Sequence, residues 1–181
     1  MKSTSTRLLL SCAAIGVAGG MLFIANAYIG NVVIAVLPML YGLTLGVYFL
    51  PGVIAQRLFR RAGVGLLVAT LSGLVSAAFQ PLGFVAVPIA VGIGLASEVP
   101  FLVLRYRRWS TAQFLVGSVL IGVVLAFGMY RLVGSEDLDA AGAALLVIGS
   151  VVSPVIATVV GLALGRALEA TGVARGLDRP R

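Results

Sequence analysis

The sequence predicts an all-α, polytopic membrane protein with six transmembrane helices and both termini on the cytoplasmic side. Three observations carry that prediction. Of 181 residues, 60% are hydrophobic and 10% charged, with a mean hydropathy of +1.13; a soluble domain sits near about 45–50% apolar and about 25% charged. The apolar residues form continuous runs, not the short alternating stretches of a membrane β-barrel, so helices are the spanning solution. The thirteen Lys and Arg residues gather in clusters between those runs, in the manner of the positive-inside rule.

Taken in order, segment one covers residues 7–28. Lys2 and Arg7 precede an apolar run ending Ala25-Asn26-Ala27, the outline of a cleavable secretory signal. The run is longer than a signal's hydrophobic stretch and more spans follow, so it is expected to stay as the first helix. Cys12 follows Leu9-Leu10-Ser11 too closely after Arg7 for a lipoprotein signal and reads as a packed thiol. Segment two, residues 31–59, contains Pro38 and Pro51 and is expected to be broken or tilted, since proline frees a backbone carbonyl. Segment three is residues 62–79 and segment four residues 81–106, with Pro88 and Pro100. Segment five is residues 110–132. Segment six, residues 138–168, has Pro154 near its middle, and Ser150, Ser153 and Thr158 around it read as kink chemistry through bonds to their own helix.

Topology follows from the cations. If six spans alternate, Lys2, Arg7, Arg57, Arg60, Arg61, Arg105, Arg107, Arg108, Arg166, Arg175, Arg179 and Arg181 share one side. The other side carries Arg131 with Glu136, Asp137 and Asp139. The Arg-rich side is then cytoplasmic, and the loops at residues 29–30, 80–81 and 134–137 face outside. The chain divides into a transmembrane domain, residues 1–171, and a short basic cytoplasmic tail, residues 172–181. It is expected in the cell membrane, surrounded by lipid. The clustering explains the net charge of +7 better than nucleic-acid binding does.

What is missing narrows the chemistry. There is no His, which removes His-based metal sites and triads. Cys12 is the single Cys and Lys2 the single Lys, which removes disulfides and a phosphate-binding GxxxxGK[ST] loop. No catalytic residue, resident metal or cofactor is expected. Any energy for transport must come from an ion or a partner.

Glu98 is the only acidic residue well inside an apolar run. A carboxylate at that depth marks a ligand contact or a structural partner for a cation such as Arg57 or Arg105. Asn26, Tyr28, Asn31, Phe79, Gln80 and Tyr130 gather near the outer ends, with Tyr41 deeper. Amides and rings together suit a flat heteroaromatic ligand; as separate residues they suit an interfacial aromatic belt and loop caps. Ala14-x-x-x-Ala18, Gly16-x-x-x-Gly20, Gly42-x-x-x-Gly46 and Gly161-x-x-x-Gly165 are spaced for close helix approach, within the bundle or, for segment one, to an external partner.

Tyr41-Gly42, Arg60-Arg61-Ala62-Gly63-Val64-Gly65-Leu66-Leu67, Gly94-Leu95-Ala96-Ser97-Glu98-Val99-Pro100-Phe101 and Arg105-Tyr106-Arg107-Arg108-Trp109 resemble the YkoE family. These are substrate-binding S components of energy-coupling factor (ECF) transporters. The resemblance implies a six-helix S component that captures thiamine or its hydroxymethylpyrimidine precursor from outside. It also implies docking on a transmembrane coupling protein with two ATPase subunits, through an Ala-x-x-x-Ala motif that Ala14 and Ala18 match. The substrate residues so expected are Asn26, Asn31, Tyr41, Phe79, Gln80 and Glu98, with Glu98 orienting the ligand or offsetting its charge. The chain departs from the family pattern at Val68-Ala69-Thr70, Ile93 and Pro81-Leu82-Gly83, which leaves fewer polar anchors. The alternative is a non-transporting membrane scaffold, whose outer half would be filled with Leu and Val.

Overall fold

The computed structural model describes residues 6–134 and 138–171. Lys2, Glu136, Asp137, most of the predicted third outer loop and the tail at 172–181 lie outside the described residues. Among the described residues every regular element is helical. Helix α1 is Thr6–Val36. A 3-10 helix, Pro38–Phe49, runs directly into α2, Leu50–Phe59. Helix α3 is Val64–Ala77. A 3-10 turn, Gly83–Val85, leads into α4, Ala86–Val103. Helix α5, Thr111–Met129, closes on a π-helical turn, Tyr130–Gly134, and α6 is Ala140–Ala170.

Five spans are long and apolar enough to cross a membrane: Thr6–Val36, Pro38–Phe59, Gly83–Val103, Thr111–Val133 and Ala140–Ala170. The sixth, α3, has 14 residues and stands only about 21 Å tall at 1.5 Å per residue, against roughly 30 Å of bilayer hydrocarbon.

The expected loop at residues 29–30 is not there. Helix α1 continues through Ile29, Gly30 and Asn31 to Val36, and the chain turns at Leu37 (φ −140°, ψ 67°) before Pro38. Asn26 and Gly30 look like loop residues only in isolation. Both are buried against the 3-10 helix, where a small or hydrogen-bonded residue fits.

Pro38 opens the 3-10 helix at a position where its missing N–H costs nothing. Runs of this winding rarely exceed four residues; this one has 12 and is held from outside by α6. Ser153 Oγ donates to the Gly42 carbonyl at 2.8 Å and accepts from the Gly46 N–H at 3.0 Å. A Cβ on Gly46 would overlap the Ser153 carbonyl, and one on Gly42 would meet the backbone of Leu146 and Ser150. Ser153 therefore bonds across to a neighbouring helix, whereas Ser150 does bond back to its own, donating to the Leu146 carbonyl at 2.8 Å. Helix α6 continues through Pro154.

The two small-residue stripes of α1 separate. Gly16 and Gly20 are buried, their Cα atoms set against Leu71 and Val75 of α3, while Ala14 and Ala18 lie exposed on the outside of the bundle. Gly161 and Gly165 receive Val53 and Arg57 of α2. Two apolar clusters fill the Arg-rich half: Leu8, Cys12, Ala55, Leu58, Phe59, Val64 and Val68 in one, and Val53, Phe101, Phe114 and Leu162 in the other.

Candidate functional site

At the Arg-poor end a polar and aromatic seam forms between α1 and the 3-10 helix. Asn26 is buried and its Nδ2 donates to the Thr44 carbonyl at 3.1 Å. Thr44 Oγ1 donates to the Tyr41 carbonyl at 2.8 Å. The Tyr41 ring passes 3.3 Å from where a Cβ on Gly30 would stand, so Gly30 makes room for it. Tyr48 pairs with the Asn26 side chain and meets Phe23 edge-on, ring centroids 4.9 Å apart. Three residues per turn brings Tyr41 and Thr44 onto one face, opposite Asn26.

Phe79 and Gln80 cap the same end from α3. The exposed Phe79 offers its carbonyl to the Tyr28 hydroxyl at 3.1 Å. Gln80 Nε2 donates to Ser76 Oγ at 3.3 Å, and Ser76 is buried. Asn31 is exposed on α1. The structure thus gathers Asn26 and Tyr41 in one seam, places Phe79 and Gln80 at the neighbouring helix end, and leaves Asn31 on the surface.

Glu98 is elsewhere. It is buried near the Arg-rich end, its Oε1 accepting from the Gly65 N–H at 2.8 Å and Gln56 Nε2 at 3.1 Å, its Oε2 from the Gly63 N–H at 3.2 Å. Gly65 and Gln80 stand at opposite ends of α3, whose 14 residues rise about 21 Å. Neither Arg57 nor Arg105 is its partner. The first N–H groups of a helix lack internal acceptors and carry the positive end of its dipole, so the N-terminus of α3 supplies what an Arg was expected to supply. Gly63, at φ 81°, adopts the left-handed conformation glycine tolerates and aims both amides inward. Arg57 instead pairs with Glu169 at 3.2 Å.

Past α4, Arg105 and Tyr106 hold positive φ of 51° and 57°. Trp109 stacks on Phe101, centroids 4.6 Å apart. Partial burial pushes the Tyr106 phenol up to about 12, helped by its hydrogen bond to, and the charge of, Glu98.

Two cavities among the described residues bear on the site. A 20 Å³ void inside the bundle touches Gln56, Ser97, Ser118 and Thr158. A groove of about 830 Å³ lies between α4 and α5. Neither is lined by Asn26, Asn31, Tyr41, Phe79, Gln80 or Glu98, so neither is the site expected at those residues. Reading the sequence alone also misses Thr44 and Tyr48. Thr44 stands one three-residue turn from Tyr41, a signal that only the 3-10 winding of that segment reveals; Tyr48, seven residues on, is off that face and carries no spacing signal.

Helices of this number and order, with small-residue seams and a buried carboxylate locking α3, make a multi-span membrane protein of all-helical fold. A solved structure titled "Crystal structure of an S-component of ECF transporter" superposes with a TM-score of 0.84 over 97% of this chain and 90% of that one, at 21% identity. The chain belongs to the family described as ABC-type cobalt transport system, permease component, matched over residues 8–124. It is also similar to the "Putative HMP/thiamine permease protein YkoE" of Bacillus subtilis (strain 168), 26% identical over 188 residues, 98% of this chain and 90% of the relative. These relatives are transport proteins, not enzymes.

Proposed function

We propose that the chain is the substrate-capture subunit of an ECF-type importer. It takes thiamine or hydroxymethylpyrimidine from outside and delivers it by docking on a transmembrane coupling protein driven by two separate ATPases. The observation that carries this reading is the S-component fold extending over nearly the whole chain; the thiamine permease relative supports the substrate class. The Arg-rich end is cytoplasmic, with both termini there, and the Asn26–Tyr41 seam faces outside.

The chemistry of the outer end favours a heteroaromatic over a metal ion. Among the described residues no three of His, Cys, Asp and Glu converge, and Cys12 is buried in an apolar cluster. Asn26, Asn31 and Gln80 offer amides; Tyr41 and Phe79 offer rings. A pyrimidine presents complementary edges and a face to such a set. Entry opens the α1 seam, exchanging the Asn26–Thr44 bond for one to the ligand. Glu98 contributes at a distance, by fixing the register of α3 and so the place of Gln80. Ala14 and Ala18 seat the coupling protein, because their small exposed side chains let a foreign helix come close.

Calorimetric titration of the purified protein with thiamine and with hydroxymethylpyrimidine tests this. Binding of one at micromolar concentration or tighter, weakened at least tenfold in Asn26→Ala, is the expected result. Heat from neither compound removes the substrate assignment and favours the scaffold reading, in which the closed Asn26–Thr44–Tyr41 bonds are the resting state. Ala14→Trp is expected to abolish uptake in cells and leave titration unchanged; uptake that survives it removes the docking role.

A further inference from the structure

The α4–α5 groove has a chemistry of its own, independent of the substrate reading. Its walls are aliphatic and open to the surroundings: Val103 is 74% exposed, Leu120 60% and Val124 71%. Its 830 Å³ falls in the range of ligand sites, roughly 300–1,000 Å³. From Ser110 to Val124 α5 rises about 21 Å, enough to cover the roughly 15 Å that is half of the hydrocarbon thickness.

The Arg-rich mouth is different. The exposed Arg108 lines it, beside the N-terminus of α5, where Ser110 caps the helix and the dipole favours an anion. Just inside, Gln113 is buried to within 8% of its surface. Its Nε2 donates to the Pro100 carbonyl at 3.0 Å, which fixes which end of the amide is which. Its Oε1 is buried and has no hydrogen-bond partner, and Gln113 lines the groove. A buried carbonyl in that position calls for a donor. The mouth therefore asks for a negative charge and a hydroxyl or amine, and the groove behind asks for a hydrocarbon tail.

We propose that this groove holds a phospholipid with an anionic, hydroxyl-bearing headgroup, phosphatidylglycerol, drawn from the leaflet at the Arg-rich end. One acyl chain lies between α4 and α5, the phosphate meets Arg108, and a glycerol hydroxyl donates to Gln113 Oε1.

Native mass spectrometry in detergent, with phosphatidylglycerol, phosphatidylethanolamine and phosphatidylcholine added in turn, tests the site. Phosphatidylglycerol is expected to be retained most strongly, and Arg108→Ala to narrow its lead over phosphatidylcholine about fivefold, the effect of one cation near a membrane surface. Nothing lies within 4 Å of a Cβ on Gly92, which lines the groove, so Gly92→Leu fills it and is expected to lose all three lipids. Equal retention of the three by the unaltered protein overturns the proposal, as does retention of phosphatidylglycerol by a folded Gly92→Leu. A diazirine-tailed phosphatidylglycerol gives a second reading on the unaltered protein, independent of any variant. Labelling concentrated on α4 and α5 supports the site; labelling spread evenly over α1 and α6 overturns it. A dimer that Gly92→Leu dissociates assigns the groove to a second copy and overturns it too.

Discussion

The seam between the 3-10 helix and α6 and the gap between α4 and α5 are built from the same kinds of residue and end up opposite. In the seam, Gly42 and Gly46 bring two backbones together, and Ser153 bridges both. Between α4 and α5 the glycines are out of step. Gly117 receives Pro100, whose Cγ stands 2.6 Å from the place of a Cβ, but Gly92 faces nothing within 4 Å. The contacts that hold the pair, Gly117 and Gln113 on Pro100 and Phe114 on Phe101, lie at the Arg-rich end, and the groove opens beyond them. Lipid offers no hydrophobic drive to close such a gap, since hydrocarbon solvates aliphatic walls as well as another helix does. Closeness in this protein is decided by whether a small residue on one helix is met by a group, backbone or side chain, on the next.

The largest test of that contrast is Gly46→Ala. The added methyl has only the Ser153 backbone to displace, and a loss of about 3 kcal/mol, near the top of the usual overpacking range, is expected. Thermal unfolding in detergent measures it; a shift no larger than that of a surface variant breaks the comparison. Next comes Glu98→Ala, which strands the amides of Gly63 and Gly65 and leaves Gln56 Nε2 only its bond to the Ser97 carbonyl. A loss of about 2 kcal/mol is expected from the unsatisfied donors, with Glu98→Gln keeping part of it. If both variants melt with the unaltered protein, the lock on α3 is dispensable.

On the looser side, the phenol of Tyr106 provides a pH test. Its value is raised in the folded protein to about 12 from the ordinary 10.0, so the folded state holds its proton longer than the unfolded chain does. The stabilisation is complete below pH 10 and is lost as pH climbs from 10 to 12. Tyr106→Phe is expected to flatten the melting temperature across that window; an unchanged slope would mean that Tyr106 keeps its ordinary value in the fold. The smallest effect belongs to Gly92→Leu, expected within about 0.5 kcal/mol of the unaltered protein, as for a surface site. A large loss there would mean the groove is not open.

The spans were legible because charge and proline punctuate apolar runs, and each Arg cluster sits where a helix ends. The end of α1 was not. Asn26, Gly30 and Asn31 in succession look like a turn, and only the 3-10 helix packed against two of them explains why they are helical. The winding of residues 38–49 was equally hidden, since its anchor, Ser153, lies more than a hundred residues away. Glu98 stands out as a carboxylate in need of partners, yet two of those partners are the backbone amides of Gly63 and Gly65, which no side-chain pattern announces. The face of Ala14 and Ala18 could be anticipated from spacing, but that it turns outward while Gly16 and Gly20 turn inward took the packing of α3 to decide.

The unequal heights of the helices have a consequence for the surrounding bilayer. At 1.5 Å per residue the 31 residues of α1 stand about 46 Å tall, more than twice the roughly 21 Å of α3. No single membrane thickness suits both, and mismatch carries an energetic penalty for every ångström. The protein therefore presents its membrane with an uneven rim, the far turns of α1, Asn31 among them, reaching well past the short α3.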